Sequence, residues 1–262
     1  MSDDGLVGKV FLVTGSGRGL GAAIARAAGA QRARVVVNCR HDSGAIAAVA
    51  ADVESAGGEA LQARADVCLP EEARALVERV IARWGRIDVL VNTVGEFHWD
   101  GLVELEPLAW RRVMASNLDS VFYTCRLAIP HMRQRRFGRI VNFAAVGAAA
   151  TLGEPQVAAY SAAKAGVVAL SRALALEEAR AGITVNVVSP GLLRDEPLGA
   201  LAASPGGAPL GDRVPVGHAG VAADVVRAVL FFASPAADFV TGQTYYIDGG
   251  GSLWGDQWQI PD

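Results

Sequence analysis

The stretch Val10-Phe11-Leu12-Val13-Thr14-Gly15-Ser16-Gly17-Arg18-Gly19-Leu20-Gly21-Ala22 decides the fold. Its first half is apolar on consecutive positions, as a strand buried on both faces requires. Its second half is a glycine-rich turn that opens a helical segment predicted over residues 22–33. Glycines there let the backbone turn tightly and let a pyrophosphate approach the N–H groups at a helix N-terminus. The order strand, glycine turn, helix is what makes this a dinucleotide-binding pattern.

The same alternation runs outward along the chain. Short β-branched runs at residues 10–13, 35–38, 60–65, 87–92, 140–143, 184–188 and 244–247 read as strands. Longer helical patterns cover residues 22–33, 71–84, 110–132, 158–180 and 222–233. Repeated βαβ units with right-handed crossovers give an α/β fold, a Rossmann-type doubly wound parallel sheet of about seven strands flanked by helices. The 262 residues suit a single domain spanning 1–262. One irregular stretch, about 192–220, is rich in Gly, Ala and Pro and is a candidate substrate loop.

Composition narrows the function classes. Apolar residues make up 52% and charged residues 19%, which allows a large core and argues against disorder. The net charge of -3 comes without a long basic stripe, so nucleic acid is not an expected partner. Cys39, Cys68 and Cys125 are widely spaced, and His41, His98, His131 and His218 lack ligand spacing, so no metal site or disulfide framework is expected. The start at Ser2-Asp3-Asp4 does not resemble a secretory signal, and no apolar run has membrane-spanning length. A cytoplasmic protein with a small-molecule partner is the expectation.

The second strand ends at Asn38-Cys39-Arg40, where an NAD site usually places an acidic residue for the ribose 2′-hydroxyl. Here Arg40 follows instead, and Arg18 lies in the glycine turn. An arginine about 5 Å from a phosphate charge gains roughly 3 kcal/mol at an effective dielectric near 20, before desolvation. NADP(H) is therefore expected ahead of NAD(H), with two solvated arginines as the plain alternative. Farther on, Tyr160 and Lys164 stand four apart on a predicted helix and share a face. An ammonium beside a phenol favours the phenolate, which suits general acid–base work.

From about Leu6 to Gly251 the chain resembles the short-chain dehydrogenase/reductase family. The resemblance rests on Thr14, Gly15, Gly19 and Gly21; on Asp66-Val67; on Asn117 in Ser116-Asn117-Leu118; on Tyr160-Ser161-Ala162-Ala163-Lys164; on Asn186-Val187-Val188-Ser189-Pro190-Gly191; and on Thr241-Gly242-Gln243 with Asp248-Gly249-Gly250. It implies hydride transfer between NADP(H) and a carbonyl or alcohol substrate, with Asn117, Tyr160 and Lys164 as the catalytic residues. Tyr160 would protonate the carbonyl oxygen, Lys164 would also hold the nicotinamide ribose, and Asn117 would support a proton-relay water. It further implies cofactor contacts from Gly15, Ser16, Arg18, Gly19, Leu20, Arg40, Asp66, Val67, Asn92, Tyr160, Lys164, Pro190, Gly191 and Leu193. Within the family the chain resembles the 3-oxoacyl-[acyl-carrier-protein] reductases. By that likeness Met132-Arg133-Gln134-Arg135-Arg136 is a candidate acyl-carrier-protein contact, with a solvated basic face as the alternative. The family's habit of forming homotetramers or homodimers makes the aromatic tail at 252–262 an expected subunit contact.

Three departures from the family pattern matter. The catalytic serine should follow the fifth strand, but Ile140-Val141-Asn142-Phe143-Ala144-Ala145 puts an alanine, Ala145, at that position. Thr151, the only serine or threonine between Ala144 and Ala159, is one candidate substitute donor, and a substrate that is intrinsically reactive or supplies its own polar group is another reading. Asn92-Thr93-Val94-Gly95 replaces the family's Asn-Asn-Ala-Gly, and Asp195 stands where a threonine often contacts the cofactor. Losing one preorganised donor costs about 10²–10³ in rate, which leaves room for turnover. The alternative is an NADP(H)-binding subunit or sensor that does not catalyse. Glu96-Phe97-His98-Trp99 follows the fourth strand, so His98 and Trp99 are candidates for the substrate mouth, with Leu192, Leu193, Leu198, Leu201 and Arg194 from the long loop; a solvated loop with one half-buried aromatic is the alternative.

Overall fold

A computed structural model describes residues 5–146, 155–194 and 214–253. Seven strands, β1 (Val10–Thr14), β2 (Arg34–Cys39), β3 (Glu59–Arg64), β4 (Val89–Asn92), β5 (Gly138–Phe143), β6 (Ile183–Pro190) and β7 (Thr244–Ile247), form one sheet. Every pairing is parallel and the order is β3-β2-β1-β4-β5-β6-β7. The helices are α1 (Gly19–Ala30), α2 (Ser43–Ser55), α3 (Pro70–Trp84), α4 (Pro107–Met114), α5 (Ser120–Arg135), α6 (Ala158–Glu178) and α7 (Ala222–Ala233). This is the doubly wound Rossmann-type architecture that the sequence predicts.

The consecutive apolar positions of the strands have a direct cause. Phe11, Val13, Val35 and Val37 point into the core beneath α1, α2 and α7. Their neighbours Val10, Leu12 and Val36 point to the opposite core beneath α3, α5 and α6. A strand between two helical layers has no solvent face, so the alternation expected of a half-exposed strand is absent.

Local chemistry sets the helix ends. Helix α3 begins with Pro70, carries Glu71 and Glu72 in its first turn and Arg83 in its last, and ends at Gly85 with φ of 70°. Helix α2 was not among the predicted segments; Asp42 caps it by accepting from the Ala45 N–H at 2.9 Å. The single helix predicted over 110–132 is interrupted: α4 and α5 are joined by a π turn at Ala115–Asp119. Pattern alone misses this because a π turn adds one residue without changing which residue types are apolar. The described ends of the 192–220 stretch are tied together by Gly220 N–H to Leu192 O at 3.0 Å and Arg194 N–H to Gly220 O at 3.1 Å. Leu198 and Leu201 lie outside the described residues. Among the described residues no helix is long and apolar enough to cross a membrane.

The carboxyl ends of β4 and β5 are locked by a buried polar network. Asn92, in register with Asn142, donates to its Oδ1 at 2.9 Å. Thr124 of α5 donates to Asn92 Oδ1 at 2.8 Å, and Asn142 donates to Ser171 Oγ of α6 at 2.9 Å. Thr124→Val keeps the shape but leaves the Asn92 carbonyl short of a donor. The expected cost is about 1–3 kcal/mol, read as a melting point several degrees lower, with the parallel sheet unchanged by circular dichroism.

Candidate active site

The sheet order reverses between β1 and β4, and open α/β sheets bind ligands in the crevice at that point, beyond the strand carboxyl ends. The glycine turn after β1 forms one side of it. Gly15 adopts φ of +65°, and its N–H donates to Asn38 Oδ1 at 3.1 Å. A Cβ at Gly21 would stand 2.7 Å from both Gly15 O and Thr93 Oγ1, so only glycine lets α1 start this close to the strand. Arg18 and Gly19 are exposed and Leu20 is half-buried at the start of α1. The first-turn amides of a helix have no intrahelical partner and present positive charge to an anion.

Ser16 is fully buried; its hydroxyl donates to Val13 O at 2.7 Å and accepts from Asn38 N–H at 2.9 Å. Its side chain therefore braces the turn against β2. Asn38 in turn donates to Ala63 O and Ala65 O, fixing the end of β3. The replacement of the family's second asparagine also has a visible role. Thr93 donates through Oγ1 to Thr14 O at 2.5 Å, clasping β1 to β4 across the reversal.

Arg40 is exposed and its Nη1 lies 3.6 Å from Asp66 Oδ2, bringing together the two residues expected around the adenosine end. Val67 is buried in the core, as is Leu193, while the Asn92 side chain is committed to the network described above. Gly191 donates its N–H to Ile247 O at 3.0 Å, and a Cβ there would come within 2.6 Å of Asp248 Cβ. Pro190 ends β6 immediately before it. Asp195 lies outside the described residues.

On the other side of the reversal stand the three expected catalytic residues. Tyr160 and Lys164 occupy successive turns of α6, with Nζ 5.5 Å from the phenol ring centroid. Lys164 is 5% exposed and donates to Phe143 O, at the end of β5, at 2.9 Å. Burial pushes its pKa down from the usual lysine value to about 8. Asn117 sits in the π turn and donates through Nδ2 to Glu96 O at 2.8 Å and Val113 O at 3.0 Å. Its Oδ1 is buried and has no partner among the described residues. A Cβ at Gly95 would overlap that Oδ1 and stand 3.5 Å from Lys164 Nζ. Gly95 thus lets the amide oxygen approach the backbone on the side of the ammonium, and a buried acceptor there calls for a donor such as water or a bound hydroxyl.

Ala145 follows Ala144, whose N–H still belongs to the sheet through Val188 O at 3.0 Å. It is half-buried and offers a methyl group. Thr151 lies outside the described residues. The surroundings of Tyr160 are more aromatic than the sequence indicated. Phe97, not singled out there, meets the Tyr160 ring edge-on at 4.9 Å between centroids, and Trp99 lies 5.7 Å from Phe97. His98 is engaged by Asp100 at 2.7 Å. No sequence pattern marks Phe97, because its contact joins the loop after β4 to the start of α6.

The basic cluster lies elsewhere. Arg133 forms a two-pronged pair with the buried Glu178, and Arg136 donates to Arg180 O. These residues precede Gly138 at the amino end of β5, whereas Lys164 binds the carboxyl end of the same strand. The aromatic tail at 254–262 lies outside the described residues.

A glycine cradle at the sheet reversal, an arginine in place of the usual acidic residue and a Tyr-Lys pair beside a buried amide define a nicotinamide-dependent oxidoreductase. The family model described as enoyl-(acyl carrier protein) reductase matches residues 15–252. The chain belongs to this family, within the short-chain dehydrogenase/reductases. Over 246 residues it is 37% identical to a 3-oxoacyl-[acyl-carrier-protein] reductase of Synechocystis sp., covering 94% of this chain and 97% of that protein. It is 38% identical over 253 residues to 3beta-hydroxysteroid dehydrogenase 1 of Eggerthella lenta, covering 96% of each. Among solved structures, gluconate 5-dehydrogenase from Burkholderia cenocepacia in complex with NADP and tartrate superposes with a TM-score of 0.89 at 35% identity. That match covers 97% of this chain and 98% of the other.

Proposed function

We propose that this oxidoreductase interconverts a ketone and a secondary alcohol with NADP(H), through Tyr160 as general acid–base, Lys164 as the adjacent ammonium and Asn117 in support. The observation that carries the reading is the buried Lys164, held by Phe143 O one turn from Tyr160 and next to the unpartnered Asn117 Oδ1. The glycine cradle fits a pyrophosphate at α1, with Gly15, Gly19, Leu20 and the backbone of Ser16 lining it. Arg40, with Arg18, suits a ribose 2′-phosphate, which favours NADP(H) over NAD(H). Asp66 and Val67 lie toward the adenine, and Pro190 and Gly191 toward the nicotinamide.

When bound, NADPH supplies the hydride that the carbonyl carbon accepts. Tyr160 gives its phenolic proton to the carbonyl oxygen, and the Lys164 ammonium stabilises the phenolate left behind. Asn117 Oδ1, close to Gly95 and Lys164, is the acceptor that we assign to the water through which the phenol recovers its proton. Reversal of the same steps serves alcohol oxidation. The relatives' named substrates make a 3-oxoacyl thioester the first ketone to try. Docking of an acyl carrier protein on Arg133–Arg136 draws less support, since Arg133 is neutralised and the cluster lies at the other end of β5. The exposed Phe122, Leu176 and Phe231 suit burial in a homotetramer or homodimer, and the three free thiols suit the cytoplasm.

The test is NADPH oxidation with an acetoacetyl thioester, comparing wild type with Ala145→Ser. We expect wild type to turn over and the serine to add less than about tenfold, because a site that evolved without this donor draws on the substrate or another group for the about 10²–10³ it is worth. Activity confined to Ala145→Ser would instead favour a cofactor-binding subunit or sensor that has lost its donor.

A further inference from the structure

We propose that the substrate carries a flat apolar ring next to its carbonyl, and that Phe97 and Trp99 bind this ring. The inference rests on the function proposed above, with Tyr160 at the reacting oxygen. Three rings form a row that starts at the reacting phenol: Tyr160 to Phe97 at 4.9 Å, then Phe97 to Trp99 at 5.7 Å between centroids. A group bonded to a carbonyl that faces Tyr160 lies against this row as it runs outward. Aromatic faces attract flat apolar groups through offset or edge-on contacts.

The row is held in place before any substrate arrives. The Trp99 indole N–H donates to Gln156 Oε1, and the Asp100 N–H donates to Gln156 O at 2.9 Å. Gln156 itself holds φ of 65°, a conformation that residues other than glycine rarely adopt, four positions before Tyr160. The loop after β4 is therefore fastened to the entry of the catalytic helix. Even so, Trp99 remains 54% exposed, so a large apolar face is fixed at the mouth without being buried in the core. The polar side chains interleaved with the row already have partners: His98 bonds Asp100 at 2.7 Å, and Glu96 lies 3.6 Å from Arg112 of α4. A carboxylate or polyol substrate would have to compete with those pairs, whereas a ring leaves them intact.

Two N-acetylcysteamine thioesters, benzoylacetyl and acetoacetyl, differ at the ketone only by phenyl in place of methyl. Their intrinsic reactivities cancel when each variant is referred to wild type. Trp99→Ala is expected to lower kcat/KM for the benzoylacetyl thioester about tenfold more than for the acetoacetyl one, the effect of a lost ring contact near the upper end of its usual range. Trp99→Phe, which keeps a ring but drops the bond to Gln156, is expected to restore most of that difference. Melting curves and NADPH fluorescence titration establish that each variant is folded and binds cofactor. Equal losses on both substrates, or a Trp99→Phe protein as unselective as Trp99→Ala, would overturn the ring-binding role while leaving ketone reduction standing. A wild-type protein that binds NADPH and reduces neither thioester would instead overturn the reductase assignment, and this inference with it.

Discussion

Tyr160→Phe is expected to lower kcat for ketone reduction by about 10²–10⁴, the range associated with a positioned general acid, while NADPH binds with nearly unchanged affinity. The substitution removes one oxygen and keeps the ring, so the edge-on contact with Phe97 and the packing of α6 persist. Stopped-flow reduction and fluorescence titration separate the two effects. A variant that retains a tenth or more of wild-type kcat would place the proton donor elsewhere. Because the loss should fall on kcat rather than KM, it also distinguishes an acid acting in the transition state from a residue that only holds the substrate.

Lys164→Met is expected to abolish turnover and at the same time to change how stability depends on pH. Burial lowers the lysine pKa to about 8, so the folded protein binds fewer protons at this site than the unfolded chain between that pH and the ordinary lysine value. Stability conferred by such a group rises as pH rises through this window and is lowest below it, where the folded state must keep a buried ammonium. The displacement amounts to about 3 kcal/mol. Wild type should therefore gain about that much relative to the methionine variant between pH 8 and 10.5, measured as paired denaturation curves. Groups that do not interact with Lys164 cancel. Parallel curves across the window would mean that Lys164 is not held in a depressed state. The loss of the Nζ bond to Phe143 O works against the variant at every pH and so does not alter the sign of the trend.

The identity of this residue is itself informative. Of 24 basic residues apart from histidine, only Lys9 and Lys164 are lysines. Arginine stays charged in proteins, whereas a buried lysine can release its proton near neutral pH. A chain that uses arginine nearly everywhere keeps lysine at the one buried position beside Tyr160. With so few lysines, ¹³C-lysine NMR can follow the titration of Lys164 directly.

Much of the architecture was legible because it follows from short-range rules. Consecutive apolar positions at 10–13 and 35–38 require two covering layers, and the glycines from Gly15 to Gly21 require a tight turn into a helix. Helix α2 escaped notice because its alanine-rich sequence has only a weak apolar stripe, formed by Ile46, Val49 and Val53. The π turn at Ala115–Asp119 escaped because it depends on hydrogen-bond register rather than on residue type. Four-residue spacing placed Tyr160 above Lys164, but nothing local placed Asn117 or Phe97 beside them. Those residues arrive on the π turn and on the loop after β4, from 43 and 63 positions earlier in the chain.

By itself, then, the sequence determined a doubly wound parallel sheet, a glycine turn at its centre, a Tyr-Lys pair on one helical face and an alanine, Ala145, where the resemblance leads one to expect serine. Each of these is a matter of residue type at short spacing, where backbone geometry leaves few choices. Only the tertiary structure decided that Ser16 and Asn92 spend their side chains on bracing the sheet, that Asn117 presents an unpartnered oxygen beside Lys164, and that an aromatic row leads outward from Tyr160. Those properties depend on which distant side chains meet when the sheet closes, and on how many hydrogen bonds each polar group can still find once water has been excluded.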